Sequence, residues 1–250
     1  MEQILVIQNS LLAPAGSIGD VLKNRGVSLT TIRVLAGEQK DIDTTIEYDG
    51  LLVLGGPSNA YNDEAYPQNL VIVDIIRRFH KLQKPILGLC LGAQFLARAL
   101  GQSYCSNNGW EIGFTPITVT AEGEKDPILA GLDSTYMLYE MHEDSFFLPP
   151  DSELLMTGKH CVNQAFRSGK YSYGFQFHAE TNASIIRGWA KGIRRSYPEK
   201  GPQMVDLMFK DMDEFFPAQK KFAYEIGRRW LNLVKEVKEG NKKATDSIAI

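Results

Sequence analysis

The 250-residue sequence predicts an α/β fold in which helices flank a doubly wound, mostly parallel sheet, with a helical extension at the C-terminus. Short apolar runs alternate with longer amphipathic segments up to about residue 180. Two of these runs, residues 51–54 and 86–89, are continuously apolar, as expected for strands that helices cover on both faces. After residue 180 the apolar residues recur at helical spacing.

The first half of the sequence contains the predicted parallel units. The pattern predicts strands over residues 4–7, 30–34, 51–54 and 86–89. It predicts helices over residues 17–24, 70–82 and 91–100, which alternate with those strands. Such alternation is typical of a parallel sheet covered by helices.

The second half of the sequence predicts a group of shorter strands and then a group of helices. Residues 115–120, 134–140, 153–157 and 171–177 predict shorter strands, either an antiparallel extension or a mixed edge of the same sheet. Three helices follow: one capped by Asn182 or Ser184, one over residues 205–216 that ends at Pro217, and a last one with an apolar stripe within residues 222–237. Residues 245–250 are predicted to form a loose tail. We expect a core domain over residues 1–190 and a helical extension over residues 191–250.

Composition and charge narrow the function classes. The net charge of -3 gives no reason to expect a nucleic-acid or membrane-surface partner. The basic residues of the last predicted helix are interleaved with glutamates, which indicates a solvated outer face. No stretch approaches the roughly 18 consecutive apolar residues that a membrane span needs.

The three cysteines, Cys90, Cys105 and Cys161, are an odd number and have no metal-type CxxC spacing. We therefore expect no metal and no organic cofactor. Sparse cysteines are typical of a reducing compartment, where a thiol stays free for chemistry, so the expected location is the cytoplasm.

The stretch over residues 86–94 carries the strongest chemical signal. An apolar strand leads into Gly88-Leu89-Cys90-Leu91-Gly92, and a helix follows. In such a strand–turn–helix elbow the central side chain is exposed above the sheet edge, and the helix N-terminus stabilises negative charge on its sulfur. The backbone N–H of Leu91 can then donate to an oxyanion. The alternative is that Cys90 is a small buried residue of the core.

A thiol nucleophile needs a base, and four histidines are candidates. His80 and His160 have polar surroundings that predict solvated surface positions, whereas His142 stays open as a candidate. His178 follows an apolar strand and so belongs at the same sheet edge as Cys90. Glu180, two residues later, can orient its ring.

Another buried strand ends at Gly55-Gly56-Pro57. Because glycines let the backbone approach the reacting carbon, the N–H of Gly56 is a candidate second oxyanion donor. A phosphate-binding loop is excluded, since no Gly-Lys-Ser/Thr follows.

Taken together, these segments resemble the class I (triad-type) glutamine amidotransferases, over about residues 1–190. The matching segments are Gly55-Gly56-Pro57-Ser58, residues 88–94, residues 174–180, Gly109-Trp110-Glu111-Ile112-Gly113 and His142-Glu143-Asp144-Ser145-Phe146. Within the family the chain is most similar to stand-alone, GMP-synthase-like members. One departure is Ala179, where many members have proline; it removes no chemical group.

The resemblance implies a flavodoxin-like fold and a site with assigned roles. Cys90 would be the nucleophile, His178 the base and Glu180 its orienter, with oxyanion donors at Gly56 and Leu91. The implied substrate pocket comprises Gly55, Gln94, His142, Asp144 and Ser145. The implied reaction is attack on the glutamine carboxamide, loss of ammonia, and hydrolysis of a γ-glutamyl thioester to glutamate.

Three functions stay open at this point. The chain could be a glutaminase that supplies ammonia to a separate synthase partner, since the sequence shows no ATP-binding loop. It could be a γ-glutamyl peptidase or hydrolase that needs no partner. It could also be a catalytically silent regulatory module, because fold does not fix function. A second copy of the chain is a further candidate partner, through the C-terminal helices.

Overall fold

A computed structural model describes residues 1–34 and 48–248 of the chain. Within this part, nine strands form one sheet in the order β2-β1-β3-β4-β9-β8-β7-β5-β6. The strands are β1 (Gln3–Gln8), β2 (Ser28–Arg33), β3 (Gly50–Val53), β4 (Ile86–Leu89), β5 (Tyr104–Val119), β6 (Thr135–Phe146), β7 (Ser152–Gly158), β8 (Ala165–Ser168) and β9 (Ser172–Phe175). The helices are α1 (Gly16–Lys23), α2 (Asn69–Lys81), α3 (Leu91–Ala99), α4 (Ala183–Ser196), α5 (Gly201–Phe209) and α6 (Met212–Ile248).

The sheet has a parallel part and an antiparallel part. Strands β2, β1, β3, β4 and β9 pair in parallel. Strands β9, β8, β7, β5 and β6 continue the sheet in antiparallel pairs. The predicted α/β sheet flanked by helices is therefore confirmed, and so is its antiparallel extension.

Helices cover both faces of the parallel part. On one face α2 and α3 bury Ile72, Ile76 and Phe95 against the sheet. On the other face α1 and α6 bury Ile18 and Trp230, and Trp230 has 0% exposed surface. A third apolar cluster joins α4 and α5 to β6. The carboxyl ends of β4 and β9 thus lie between two packed layers and share one edge of the sheet.

Several boundaries differ from the sequence prediction. Strand β8 was not predicted, because Ala165–Ser168 has neither a continuous apolar run nor a clear alternation of apolar and polar residues. The predicted helix over residues 205–216 is two helices, interrupted at Asp211, which has a left-handed φ of 59°. Pro217 does not end a helix but lies inside α6, where the buried apolar stripe that follows outweighs one lost hydrogen bond.

The predicted loose tail is also wrong for residues 245–248, since α6 continues to Ile248. Residues 249 and 250 lie outside the described residues. The division at residue 190 stays a prediction, and that position falls within α4. No helix in the described ranges is long and apolar enough to cross a membrane.

Candidate active site

Cys90 lies in a tight turn between β4 and α3. Its φ of 51° and ψ of -109° are unusual for a residue with a side chain, and such strain is typical of functional turns. The Cys90 backbone N–H donates to the Phe175 carbonyl at 2.7 Å, which joins the turn to the end of β9. A β-carbon on Gly92 would lie 2.1 Å from the Val53 carbonyl oxygen, so only glycine lets α3 pack this close to β3. The elbow predicted from the sequence is present.

His178 lies just after β9, beside Cys90. Its Nδ1 is 2.7 Å from Glu180 Oε1, and its ring lies next to the Cys90 side chain. All three side chains are buried, with 5%, 3% and 1% of the surface of Cys90, His178 and Glu180 exposed. Burial lowers the pKa of His178, but the adjacent Cys90 sulfur and Glu180 carboxylate outweigh burial and raise it well above its ordinary value. The structure thus brings together a thiol, an imidazole and a carboxylate.

Hydrogen bonds from Gln219 of α6 hold the segment that carries His178 in place. Gln219 Nε2 donates to the His178 carbonyl at 3.2 Å, and the Thr181 hydroxyl donates to the same oxygen at 2.8 Å. Gln219 Oε1 accepts from the Tyr139 backbone N–H at 2.8 Å. The C-terminal helices therefore take part in positioning the site. Sequence reasoning missed Gln219, because one glutamine on a long helix gives no signal.

The glycines after β3 make room for the site. A β-carbon on Gly55 would lie 2.9 Å from His178 Cε1 and 3.6 Å from Cys90 Cβ, so glycine is needed between them. A β-carbon on Gly56 would lie 2.8 Å from Asn9 Cβ and 3.3 Å from Leu91 Cδ2, so Gly56 packs closely between these two residues. Gly56 and Leu91 both line the cavity above the thiol.

A cavity of about 540 Å³ opens above Cys90. Gln94 and Asp144, both predicted to bind substrate, line it. Gln94 Nε2 donates to the Asp144 carbonyl at 3.0 Å. The Asp144 carboxylate accepts from Asn59 Nδ2 at 2.7 Å and from the Tyr104 hydroxyl at 2.6 Å. This polar end of the cavity presents a fixed carboxylate and an amide, which suit an α-amino acid.

The other three predicted substrate-binding residues do not present a free polar side chain to the cavity. His142 lines the cavity, but its ring nitrogens are engaged within the protein. Gly55 lies beside His178 and does not line the cavity. Ser145 is buried outside the cavity, with its hydroxyl 3.1 Å from Cys161 Sγ.

Gln176 is a site residue that sequence reasoning did not single out. It is fully buried, and its Nε2 lies 3.6 Å from Cys90 Sγ. Its Oε1 accepts from Gln94 Nε2 at 3.3 Å. A polar residue between Phe175 and Phe177, in an otherwise apolar strand, was the available signal. The amide connects the thiol to the polar end of the cavity.

A second buried cluster surrounds His142. Its Nε2 lies 3.1 Å from Glu111 Oε2 and 3.2 Å from Glu140 Oε2, and its Nδ1 lies 2.9 Å from the Asp144 carbonyl oxygen. Burial lowers the pKa of His142, but Glu111 and Glu140 raise it to about 10. Gln164 Nε2 donates to Glu111 Oε2 at 3.2 Å. Burial also raises the pKa of Glu140, which His142 counteracts. The contacts of His142 with Glu111, Glu140 and the Asp144 carbonyl oxygen therefore support the strand that presents Asp144.

The same cluster contains the residues that could hold a metal ion. Ligand atoms of Glu111, His142 and Cys161 lie within 4.8 Å of one another, and all three residues are buried. Burial raises the pKa of Cys161 to about 12, so its thiol is protonated at neutral pH. A metal ion would have to displace that proton and the proton of His142.

The two histidines predicted to be solvated differ from each other. His160 is exposed, as predicted. His80 is half-buried, and its Nδ1 lies 2.8 Å from the Ser172 hydroxyl, so the prediction of a solvated position is wrong. The cause is the end of α2, which packs against the start of β9.

Sequence comparisons agree with this arrangement. Residues 15–186 match the model of the class-I glutamine amidotransferases. The glutamine amidotransferase-like protein YfeJ of Salmonella typhimurium is 30% identical over 182 residues, covering 70% of this chain and 74% of that protein. A glutamine-hydrolysing GMP synthase subunit of Pyrococcus furiosus is 30% identical over 178 residues, covering 64% of this chain and 88% of that protein. Gamma-glutamyl peptidase 3 of Arabidopsis thaliana is 26% identical over 159 residues, covering 62% of this chain and 63% of that protein.

Solved structures share the architecture. The crystal structure of a glutamine amido transferase from Methylobacillus flagellatus superposes with a TM-score of 0.81 at 25% sequence identity. The match covers 93% of this chain and 95% of that chain, so it includes the C-terminal helices.

Proposed function

Because the chain belongs to the class I glutamine amidotransferase family, we propose that it hydrolyses the side-chain amide of glutamine through a thioester at Cys90. The observation that carries the proposal is the contact of a strained, cavity-facing Cys90 with His178, whose ring is held at 2.7 Å by Glu180. A nucleophile, a base and an orienting group in this geometry suit acyl transfer.

The first half-reaction forms the thioester. Cys90 gives its thiol proton to His178, and the sulfur attacks the amide carbon of the substrate. The backbone N–H groups of Gly56 and Leu91 donate to the oxyanion that forms. The protonated His178 then gives its proton to the leaving nitrogen, which departs as ammonia. The raised pKa of His178 favours the first of these transfers, because it strengthens the ring as an acceptor of the thiol proton.

The second half-reaction releases glutamate. His178 takes a proton from a water molecule, whose oxygen attacks the thioester carbon. The carbon–sulfur bond breaks, and the proton returns from His178 to Cys90. Glu180 stabilises the charged imidazole in both halves. Gln94 and Asp144 would hold the α-amino acid end of the substrate at the polar end of the cavity.

The ammonia acceptor would be a separate synthase partner. The support is the likeness to the Pyrococcus furiosus GMP synthase subunit, which by its name is one component of a larger enzyme. The free thiols of Cys90, Cys105 and Cys161 favour a reducing compartment, and we propose the cytoplasm.

A second candidate is hydrolysis of γ-glutamyl peptides or conjugates, with the same thioester and a larger leaving amine. Two observations favour it: the likeness to a γ-glutamyl peptidase and the size of the cavity. Cavities of roughly 300–1,000 Å³ accept drug-sized ligands, so this one has room beyond a γ-glutamyl group.

The test is glutamate release from glutamine and, separately, from γ-glutamyl dipeptides. Cys90→Ala should abolish release, whereas the matched variant Cys105→Ala should retain it. Cys90-dependent turnover of glutamine supports the ammonia producer, and a preference for dipeptides supports the hydrolase. Equal turnover by the protein and Cys90→Ala would overturn both. Absence of turnover together with absence of labelling of Cys90 by a glutamine-mimicking electrophile would overturn stand-alone catalysis and leave a partner-activated subunit or the silent regulatory module.

A further inference from the structure

The cavity above Cys90 has two chemically different ends. Its polar end is formed by Gln94, Asn59 and Asp144, which hydrogen-bond one another. Its other end is formed by Trp110 of β5 and by a stripe on and just after α4. The stripe consists of Trp189, Ile193 and Tyr197, whose spacing of four residues aligns them on one face of the helix.

This apolar end starts at the catalytic histidine. The Trp189 ring meets the His178 ring edge-on, with centroids 4.8 Å apart. The Trp189 position is fixed by its indole N–H, which donates to the Leu12 carbonyl at 2.6 Å. Because His178 protonates the leaving nitrogen, the groups beyond it lie on the leaving-group side of the scissile bond.

The far wall is aromatic as well. Trp110 and Tyr197 pack edge-to-face with centroids 5.9 Å apart, and both line the cavity. Tyr197 keeps 36% of its surface exposed, and the side chain of Leu12 at the rim is 50% exposed. Ammonia needs no such surface, whereas an apolar substituent would cover it and remove it from water.

Charge further restricts the leaving group. Within the described part of the chain, the cavity lining contains the acidic residues Glu143 and Asp144 and neither lysine nor arginine. A leaving group with a carboxylate, such as an amino acid, would find neither a lysine nor an arginine there to pair with it. An uncharged amine would meet no such penalty.

We propose that this aromatic end is a leaving-group subsite for γ-glutamyl amides of uncharged aromatic or alkyl amines. The inference rests on the proposed Cys90 chemistry, and it narrows the substrate class of that site. The reaction balances as for glutamine: the carbon–nitrogen bond breaks, His178 protonates the departing amine, and water completes the glutamate.

The test compares γ-glutamylbenzylamide with γ-glutamylmethylamide, which has the same charge and no ring. We expect kcat/KM to be about tenfold higher for the benzylamide, since contact with a half-open aromatic wall supplies part of the free energy of burying a phenyl group. We also expect kcat/KM to be higher for the benzylamide than for γ-glutamylphenylalanine, whose leaving group carries an additional carboxylate. Equal values for the benzylamide and the methylamide would overturn the subsite.

Variants of Tyr197 test whether the preference for the benzylamide arises at the aromatic end of the cavity. Tyr197→Ala should lower the ratio of kcat/KM for the benzylamide to kcat/KM for the methylamide about fivefold. Tyr197→Phe should keep this ratio at the value of the unchanged protein, because the ring and not the hydroxyl makes the contact. Tyr224→Ala is the matched control, since Tyr224 is similarly exposed on α6 and does not line this cavity. A ratio that Tyr197→Ala leaves unchanged would contradict the proposal.

Failure of the chemistry is distinguishable from failure of the subsite. Cys90→Ala should bind the benzylamide more tightly than the methylamide in calorimetry, whether or not turnover occurs. Hydrolysis of glutamine and both amides at similar rates would retain the proposed function and remove only the subsite. If a protein partner covers the aromatic end instead, the two amides will bind alike, which also overturns the subsite.

Discussion

His178 and His142 are both buried, and each contacts carboxylates, yet only one is placed for chemistry. His178 has one nitrogen on Glu180, and its ring lies next to the Cys90 thiol. His142 has one nitrogen on the Asp144 carbonyl oxygen and the other between two glutamates. In both cases charged neighbours outweigh burial and raise the pKa.

The comparison teaches that a raised pKa does not by itself identify a catalytic residue. Both histidines have a raised pKa, but only His178 lies beside a nucleophile that faces a cavity. His142 is enclosed by acceptors that keep its protons within the protein. We therefore propose that the first cluster is catalytic and that the second positions Asp144.

The largest effect should separate the two histidines. We expect His178→Gln to lower kcat for glutamate release on the order of 10⁴-fold, because base and acid are lost together. The matched variant His142→Gln should lower kcat less than about tenfold at temperatures well below its unfolding transition. Comparable losses in the two variants would show that the clusters do not differ as described.

The second-largest effect should distinguish Glu180 of the first cluster from Glu111 of the second. Glu180→Gln should lower kcat about 10³-fold with little change in KM, since the ring of His178 loses the charge that orients it. Glu111→Gln, the matched change in the second cluster, should instead lower the melting temperature and leave kcat within about tenfold. Steady-state kinetics and thermal unfolding measure both. A larger kcat loss for Glu111→Gln would reverse the assignment.

Stability against pH tests the charge state of His142. A histidine whose pKa is raised in the folded state stabilises it fully below the unfolded value, near 6.5, and this stabilisation is lost as pH rises through the folded value, about 10 here. In His178→Gln, which leaves His142 to titrate, the free energy of unfolding should fall on the order of 2 kcal/mol between pH 6.5 and 8.5. Denaturant titration measures it. A flat profile would mean that His142 is neutral.

The smallest effect is expected at the rim of the cavity. Tyr104→Phe removes the hydroxyl that donates to Asp144 at 2.6 Å, at a largely exposed position. Because Asn59 still holds the carboxylate, KM for glutamine should rise only about two- to threefold, with kcat unchanged. A change confined to kcat would place Asp144 in the chemical step instead of substrate binding.

Local patterns predicted the elements nearest the site because each carries a strong signal. A continuous apolar strand, an elbow glycine and a following helix leave few arrangements for Cys90, and the same holds for His178 after β9. Contacts between distant segments were not predictable. Gln219 reaches His178 from 41 residues away, and Trp189 meets the same ring from α4.

The His142 cluster was missed for the same reason. The sequence marked His142 and Glu111 in separate segments, but only the antiparallel pairing of β5 and β6 brings Glu111 opposite His142. That register depends on the irregularity between Ser106 and Glu111, which no local pattern encodes.

The most direct test of the account is the identity of the acylated residue. The protein would be treated with a glutamine-mimicking electrophile, digested and examined by mass spectrometry, with Cys105→Ala and Cys161→Ala as matched controls. The account predicts stoichiometric labelling of Cys90, retained in both controls, lost in Cys90→Ala and strongly slowed in His178→Gln. Labelling of Cys105, the more exposed thiol, in place of Cys90 would contradict it.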